Sequence, residues 1–360
     1  MKITRIDAAL YRIPPLRPRK DAIQTFSAME LLLAEVSTEE GMTGVGYSYT
    51  IGQGGKAART LLDEDLAPLI LGEDPANVER IWQKMWWGIH AVIGGISPVA
   101  MAAVDIALWD LKAKKAGLPL YKLLGGYRDR LPVYNTEGGW LNMSLEEIKE
   151  EAVKAVEEGF TGIKLKVGKE DPREDVKRVG EVRKVIGDSI KLMVDVNQKW
   201  TSTEAISRGK QLEEFNIFWL EEPLPHEDIR GHAVLKAHLT VPIALGESLY
   251  TKQAFKAYLE QNAVSILQPD VGRVGGITEW MKIAALAEAW NLPVAPHFLM
   301  EIHFHLAAAI PHALYVEYIP QLDPVLEEPF KIKGGLFELP QVPGHGIKFD
   351  KDKLKAYRVN

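Results

Sequence analysis

The chain has 360 residues, 46% hydrophobic and 26% charged, with a formal net charge of −6 and no cysteine. That is ordinary globular composition, long enough for two domains rather than one. It excludes disulfides and thiolate metal ligands and suits a cytoplasmic setting; it shows no apolar run of about 18 residues for a membrane span, no secretory h-region at its start, and no basic stripe for nucleic acid.

Residues 1–128 read as an α+β block. Lys2 to Ile13 alternates like a strand, and Leu31 to Val36 is a second strand-like run. A glycine-rich stretch follows, Gly41 to Gly55. Helical patterns then cover Lys56 to Leu66, Asn77 to Trp87 and Ser97 to Ala116. In the last, Met101, Val104, Ile106, Leu108 and Leu111 recur near helical spacing, and Gly117 reads as its stop.

From 129 to 320 the chain alternates. Short apolar runs at Val133–Asn135, Gly162–Val167, Leu192–Asp195, Ile217–Leu220, Ile243–Leu245, Ser265–Leu267, Val294–Ala295 and Tyr315–Val316 are each followed by a charged amphipathic stretch. Capping boxes at Ser144…Glu147 and Thr201…Glu204 mark helix starts. Strand–helix alternation implies parallel pairing, and eight repeats over about 200 residues imply a closed barrel. An open doubly wound sheet is the rival, but the glycine-rich phosphate turn that usually marks one is missing. The tail, 321–360, breaks the alternation and is expected to pack back on the first block. The expected fold is thus a (β/α)7β TIM-like barrel with an α+β capping domain formed by the N-terminal segment and the C-terminal tail.

Barrel enzymes carry their chemistry where strands end. The second strand supplies Lys164 and Lys166, the third Asp195 and then Asn197, the fourth Glu221, the fifth Glu247, the sixth Asp270, the seventh His297 and the eighth Glu317. Asp195, Glu221 and Glu247 stand 26 residues apart in each step, one strand plus one helix, which puts three carboxylates on adjacent strands at one level. The bland reading is three unrelated surface acids. Clustered, they would repel strongly without a cation, and hard oxygen ligands favour Mg²⁺, with Mn²⁺ second. Lys164 and Lys166 point the same way; two adjacent ammonium groups are expected to depress each other's pKa and leave one neutral as a base. Asp270 and His297 come from neighbouring strands, where the carboxylate would orient the ring and raise its basicity. His303 and His305 fall in a helical pattern and read as packing or solvent-facing residues. A metal flanked by bases suits removal of a proton next to a carboxylate.

This ordered set resembles the enolase superfamily, and within it the mandelate racemase subgroup: K-x-K, D-x-N, E-E-P and G-E on successive strands, then the sixth-strand Asp with the seventh-strand His. The resemblance extends to the A-x-D-x-A-L-W-D-L helix at Ala103 to Leu111. The muconate-lactonizing subgroup has a lysine five residues before the Gly pair, where this chain has Asp270 before Gly275-Gly276. APHFLMEIHFHLAAAIP, YNTEGGWLN and SYTIGQGG look most like the L-talarate/galactarate dehydratases.

The resemblance implies that Asp195, Glu221 and Glu247 bind Mg²⁺, and that Lys166 is one base, tuned by Lys164. His297 with Asp270 would be the other acid/base, and Glu317 would hydrogen-bond the substrate carboxylate. Asn197, Tyr49 and Thr136 would line the pocket, and the loop Thr50 to Gly55 would close over it, with Tyr49, Thr50 and Gln53 making the cap polar. The expected substrate is a small carboxylate, an acid sugar undergoing dehydration. The alternatives are racemisation or epimerisation of a 2-hydroxy acid and, more remotely, an inactive barrel that only binds. The expected assembly is a homo-oligomer, between dimer and octamer.

Overall fold

The computed structural model describes residues 1–359. Its N-terminal part is a three-stranded antiparallel sheet in the order β1 (Ile3–Ile13), β4 (Met29–Thr38), β5 (Thr43–Ile51), with a short hairpin, β2 (Arg19–Lys20) and β3 (Thr25–Phe26), in the connection from β1 to β4. β5 runs through the glycine-rich stretch. Its glycines serve packing. A Cβ on Gly44 would collide with the carbonyl oxygen of Ala107, and one on Gly46 with that of Ala103. Both carbonyls belong to the helix Ile96–Ala116, which lies against the sheet at a distance only glycine permits. That helix ends on Gly117 with φ 66°, the left-handed stop that a residue without Cβ adopts freely. The helix expected to end at Leu66 continues through a π turn, Leu62–Leu66, into Ala67–Ile70; Pro68, which cannot donate, stands two residues past that turn.

The barrel strands are β6 (Arg130–Asn135), β7 (Gly162–Lys166), β8 (Lys191–Asp195), β9 (Trp219–Glu221), β10 (Ile243–Leu245), β11 (Ile266–Leu267) and β12 (Val316–Tyr318). The seventh position is a single bridging residue, Val294, paired in parallel with Leu267 on one side and Ala313 on the other. β12 pairs in parallel with β6 and closes the ring. Both capping boxes form, at Ser144 and Thr201. Tyr134, Met193, Trp219, Ala244, Ile266 and Ala295 make up a buried apolar cluster drawn from β6, β8, β9, β10, β11 and the residue after Val294.

Two strands of the tail, β13 (Ile332–Lys333) and β14 (Leu336–Glu338), form a hairpin whose second strand pairs antiparallel with the start of β6. Further on, Gly344 bridges Pro119 and Arg358 bridges Tyr11, so the tail touches both the barrel and the N-terminal sheet.

The N-terminal part docks on the barrel through buried polar contacts. Trp82 Nε1 donates to Gly275 O at 2.8 Å. Asp105 accepts from Thr278 Oγ1 at 2.6 Å and Thr278 N at 2.9 Å, and Trp109 Nε1 donates to Thr278 Oγ1 at 2.9 Å. Gly276, at φ 102°, has no room for a Cβ beside the Asp105 carboxyl. The acid and the tryptophan of the Ala103–Leu111 motif are therefore docking groups. Among the described residues no helix is long and apolar enough to cross a membrane.

Candidate active site at the strand ends

Parallel register puts Lys166 beside Asp195 and Asp195 beside Glu221 as direct Cα partners. Glu247 follows β10 after Gly246, whose backbone presses on Gln268 so closely that a Cβ would overlap it. One carboxylate oxygen from each of Asp195, Glu221 and Glu247 lies within 4.8 Å of the others. Asp195 is 0% and Glu221 1% exposed, so these are not scattered surface acids.

The lysines sit within this set. Lys164 Nζ lies 2.7 Å from Glu221 Oε1, 2.7 Å from Glu317 Oε1 and 3.5 Å from Asp195 Oδ2. Lys166 Nζ lies 2.5 Å from Asp195 Oδ2. The expected mutual depression is therefore overridden. Burial works against both charges, but Asp195 holds the Lys166 pKa up, and Glu221 and Glu317 hold that of Lys164 up further. The acids answer in opposite directions. Against its burial, Asp195 is held well below the usual range by Lys166 and Lys164, whereas burial and then the Asp195 charge push Glu221 up to about 8. Glu317, buried but facing Lys164 and His297, falls to about 2.

Two residues that sequence reasoning missed immobilise Glu221. Trp219 Nε1 donates to its Oε2 at 2.8 Å and Gln268 Nε2 to the same oxygen at 2.9 Å. Trp219 stands two residues before Glu221, so a strand points both the same way; that was the available signal. Several oxygens nearby remain unspent. Asn197 Oδ1 and Glu222 Oε1 are buried without a hydrogen-bond partner among the described residues, and Glu247 Oε2 has only an ion-pair contact with His297. Unspent buried acceptors beside clustered carboxylates are what a hard cation satisfies, and the residues fit Mg²⁺. Asn197 takes a left-handed φ of 47° and its backbone N–H donates to Asp195 Oδ1 at 2.9 Å.

His297 Nδ1 lies 2.8 Å from Asp270 Oδ2, and Nε2 lies 3.2 Å from Glu247 Oε2. Burial disfavours the charged ring, but Glu247 and Asp270 outweigh it and raise the His297 pKa. His303 and His305 are buried in the helix Met300–Ala309, His303 Nε2 accepting from Val271 N and His305 Nε2 meeting His345 O. Burial brings them down to about 4 and about 3, so they are neutral packing residues.

The cavity is lined on the barrel side by Lys166, Asn197, Glu247, His297, Phe298 and Glu317. Lys164, Asp195, Glu221 and Asp270 lie beneath that surface. The cap side differs from expectation. Tyr49 and Ile51 line the cavity, but Thr50 and Gln53 do not: Thr50 Oγ1 donates to Glu30, and Gln53 faces outward. The segment around β2 and β3 supplies the wall instead, with Arg19, Asp21, Gln24 and Phe26. Arg19, 4% exposed, places Nη2 2.7 Å from Glu137 Oε1 and donates to Gln321. Thr136 is also absent from the wall. Its Oγ1 donates to Glu317 Oε1 at 2.8 Å, so it steadies that carboxylate from behind.

Comparison with known proteins agrees with this geometry. Residues 147–353 match the family model described as Enolase C-terminal domain-like, and residues 5–125 that of the mandelate racemase / muconate lactonizing enzyme N-terminal domain. The chain is 39% identical to L-talarate/galactarate dehydratase of Salmonella typhimurium, over 97% of this chain and 88% of that protein. It is also 39% identical to 3,6-anhydro-alpha-L-galactonate cycloisomerase of Streptomyces coelicolor, over 99% of both. Among solved structures, L-talarate dehydratase from Polaromonas sp. JS666, complexed with Mg and L-glucarate, superposes with a TM-score of 0.95 at 40% identity, covering 100% of this chain and 98% of that one.

Proposed function

The chain belongs to the mandelate racemase / muconate lactonizing enzyme family of the enolase superfamily, and we propose that it is a Mg²⁺-dependent dehydratase of an acid sugar, with a C6 aldarate such as galactarate or L-talarate as substrate and a 2-keto-3-deoxy acid as product. The observation that carries this reading is a single cavity presenting Lys166 and His297 from barrel strands three places apart in the ring, with the Asp195–Glu221–Glu247 cluster beside both.

Asp195, Glu221 and Glu247 would hold the cation. When bound, it supplies positive charge that neutralises the three acids, grips the substrate carboxylate and stabilises the charge that carboxylate gains on deprotonation. Lys166 takes the α-proton. Asp195 favours the charged form of Lys166, and Lys166 would be freer to act as a base once Asp195 shared its charge with the cation. Glu317, fixed by Lys164, Thr136 and the backbone N–H of Phe298, faces the other side of the substrate carboxylate. His297, protonated and oriented by Asp270, gives its proton to the departing β-hydroxyl. The C–H and C–O bonds break, water leaves, and the enol tautomerises to the keto acid. Arg19 in the cap wall supports a substrate with a second carboxylate.

The near-equal likeness to a cycloisomerase supports a second reading on the same residues. In a 3,6-anhydro acid the ring oxygen on C3 is itself β to the carboxylate. The same proton abstraction and acid-assisted departure then open the ring with no loss of atoms. A panel of hexarates, aldonates and a 3,6-anhydro acid, assayed with semicarbazide and by mass spectrometry, separates the two: keto-acid product with loss of water supports dehydration, and keto-acid product at unchanged mass supports ring opening. Racemisation of a 2-hydroxy acid with no keto product on any sugar would overturn both.

A homo-oligomer belongs to the same reading. Trp87 and Val92 stand 66% and 60% exposed on the cap, apolar surface that a second copy would cover. Light scattering that returned a monomer would remove this part.

A further inference from the structure

We infer that Tyr49 is a positioning residue for the acid/base dyad rather than a substrate ligand, so that His297 is fully oriented only when the cap is docked. The inference rests on the reading of His297 as an acid/base group and goes beyond it in assigning what fixes the dyad.

Tyr49 belongs to β5 of the cap and is 2% exposed. Its hydroxyl donates to Asp270 Oδ2 at 2.6 Å. That is the oxygen which faces His297 Nδ1 at 2.8 Å. The other oxygen, Oδ1, accepts from Gly272 N at 2.8 Å. Asp270 thus has both oxygens engaged, one of them by two donors, and its plane is set by three groups from different segments. The Tyr49 ring is itself held: it packs edge-on against Phe298, with centroids 4.7 Å apart, and the Arg273 guanidinium stands 5.4 Å from its centroid.

A phenol hydroxyl committed to a buried carboxylate is not free to bind a sugar hydroxyl, although its ring borders the cavity. What it does instead is stop Asp270 from rotating, and therefore stop His297 from swinging its Nε2 away from the cavity. Because the donor comes from the cap and the acceptor from the barrel, the orientation of the acid/base pair depends on an interdomain hydrogen bond. The Lys166 side has no such link, since its partner Asp195 lies on the next barrel strand. Removing the hydroxyl should therefore affect proton transfer by His297 and spare that by Lys166.

The test is Tyr49→Phe in the Mg²⁺-loaded protein, with two readouts. In ¹⁵N-histidine-labelled protein, without substrate, the His297 Nδ1 proton is identified by its loss in His297→Asn. Wild type should show it as a slowly exchanging downfield signal. Tyr49→Phe should speed its exchange at least tenfold with the melting temperature nearly unchanged. In deuterated solvent with the best acid substrate, loss of the β-hydroxyl, which needs the His297 proton, should fall about 10- to 100-fold, while α-proton exchange at the Lys166 face and KM stay within about twofold. A His297 proton signal unchanged by Tyr49→Phe would overturn the inference, as would a rise in KM with water loss and α-proton exchange slowed equally, which marks a substrate ligand. The first readout needs no turnover, so it decides the point even if the proposed substrate class is wrong.

Discussion

The floor and the wall of the cavity are built by different rules. On the floor every reacting group sits on or just beyond a barrel strand, and its neighbours are other such groups: Lys164 bridges Glu221 and Glu317, Lys166 pairs with Asp195, and Glu221 is pinned by Trp219 and Gln268. The wall comes mainly from the connection between β1 and β4, where Arg19 reaches back to Glu137 and Gln321 and Phe26 stands among polar Asp21 and Gln24, with Ile51 of β5 and Trp140 beyond β6 completing it. A strand-borne floor gives precision, because parallel register repeats the same geometry from strand to strand. A loop-borne wall gives choice of substrate, because its residues change without disturbing the register. Tyr49 is where the two regions meet.

If the division is right, changes on the floor cost turnover and changes on the wall cost selectivity. Lys166→Ala should lower kcat by about 10³- to 10⁴-fold, at the upper end of what one acid/base group contributes, with KM little altered; steady-state kinetics on the best acid sugar measure it, and a loss confined to KM would break the comparison. Gln268→Leu leaves the three acids in place but frees Glu221 Oε2 from one of its donors. Mg²⁺ affinity by titration calorimetry should weaken about 10- to 100-fold, the usual cost of losing an outer support to a metal ligand; unchanged affinity would show that Trp219 alone suffices. Arg19→Gln should raise KM for a dicarboxylate about tenfold, about 1.4 kcal/mol of lost charge recognition, while a monocarboxylate of similar length is unaffected. Equal losses on both would mean that Arg19 only latches the cap.

The smallest effect concerns the joint between the regions. Burial raises the pKa of Asp105 in the fold to about 7, against 3.8 for the free group. The folded state therefore binds that proton more tightly than the unfolded chain, so the group's contribution to stability is present in full below pH 3.8 and is lost as pH rises through about 7. Asp105→Asn cannot titrate. Its melting temperature relative to wild type should climb between pH 4 and pH 7, and a constant difference across that range would show that Asp105 is already ionised where it meets Thr278.

The site's floor was legible in the sequence because a barrel translates order into place: equal spacing of Asp195, Glu221 and Glu247 means equal height on adjacent strands, and Asp270 and His297 follow by the same rule. Charge state was not legible. Lys164 and Lys166 looked like mutual repellers, and only the carboxylates that the fold brings from other strands reverse the sign. Glycine was equally ambiguous. Gly44 and Gly46 stood out only as part of a glycine-rich stretch, yet they are strand positions emptied of side chain so that a helix can lie on them. The wall was misplaced for a related reason: nothing local says whether the segment after β1 or the one after β5 will fold over a pocket some 150 residues ahead. The sequence by itself determined which ionisable groups gather at the strand ends and on which strands they stand, since periodicity and spacing are properties of the chain. The tertiary structure decided which of them face the cavity, which are held by supports such as Thr136 behind Glu317 and the Tyr49 hydroxyl on Asp270, and which way each pKa moves, because those depend on distances between residues that the chain alone keeps far apart.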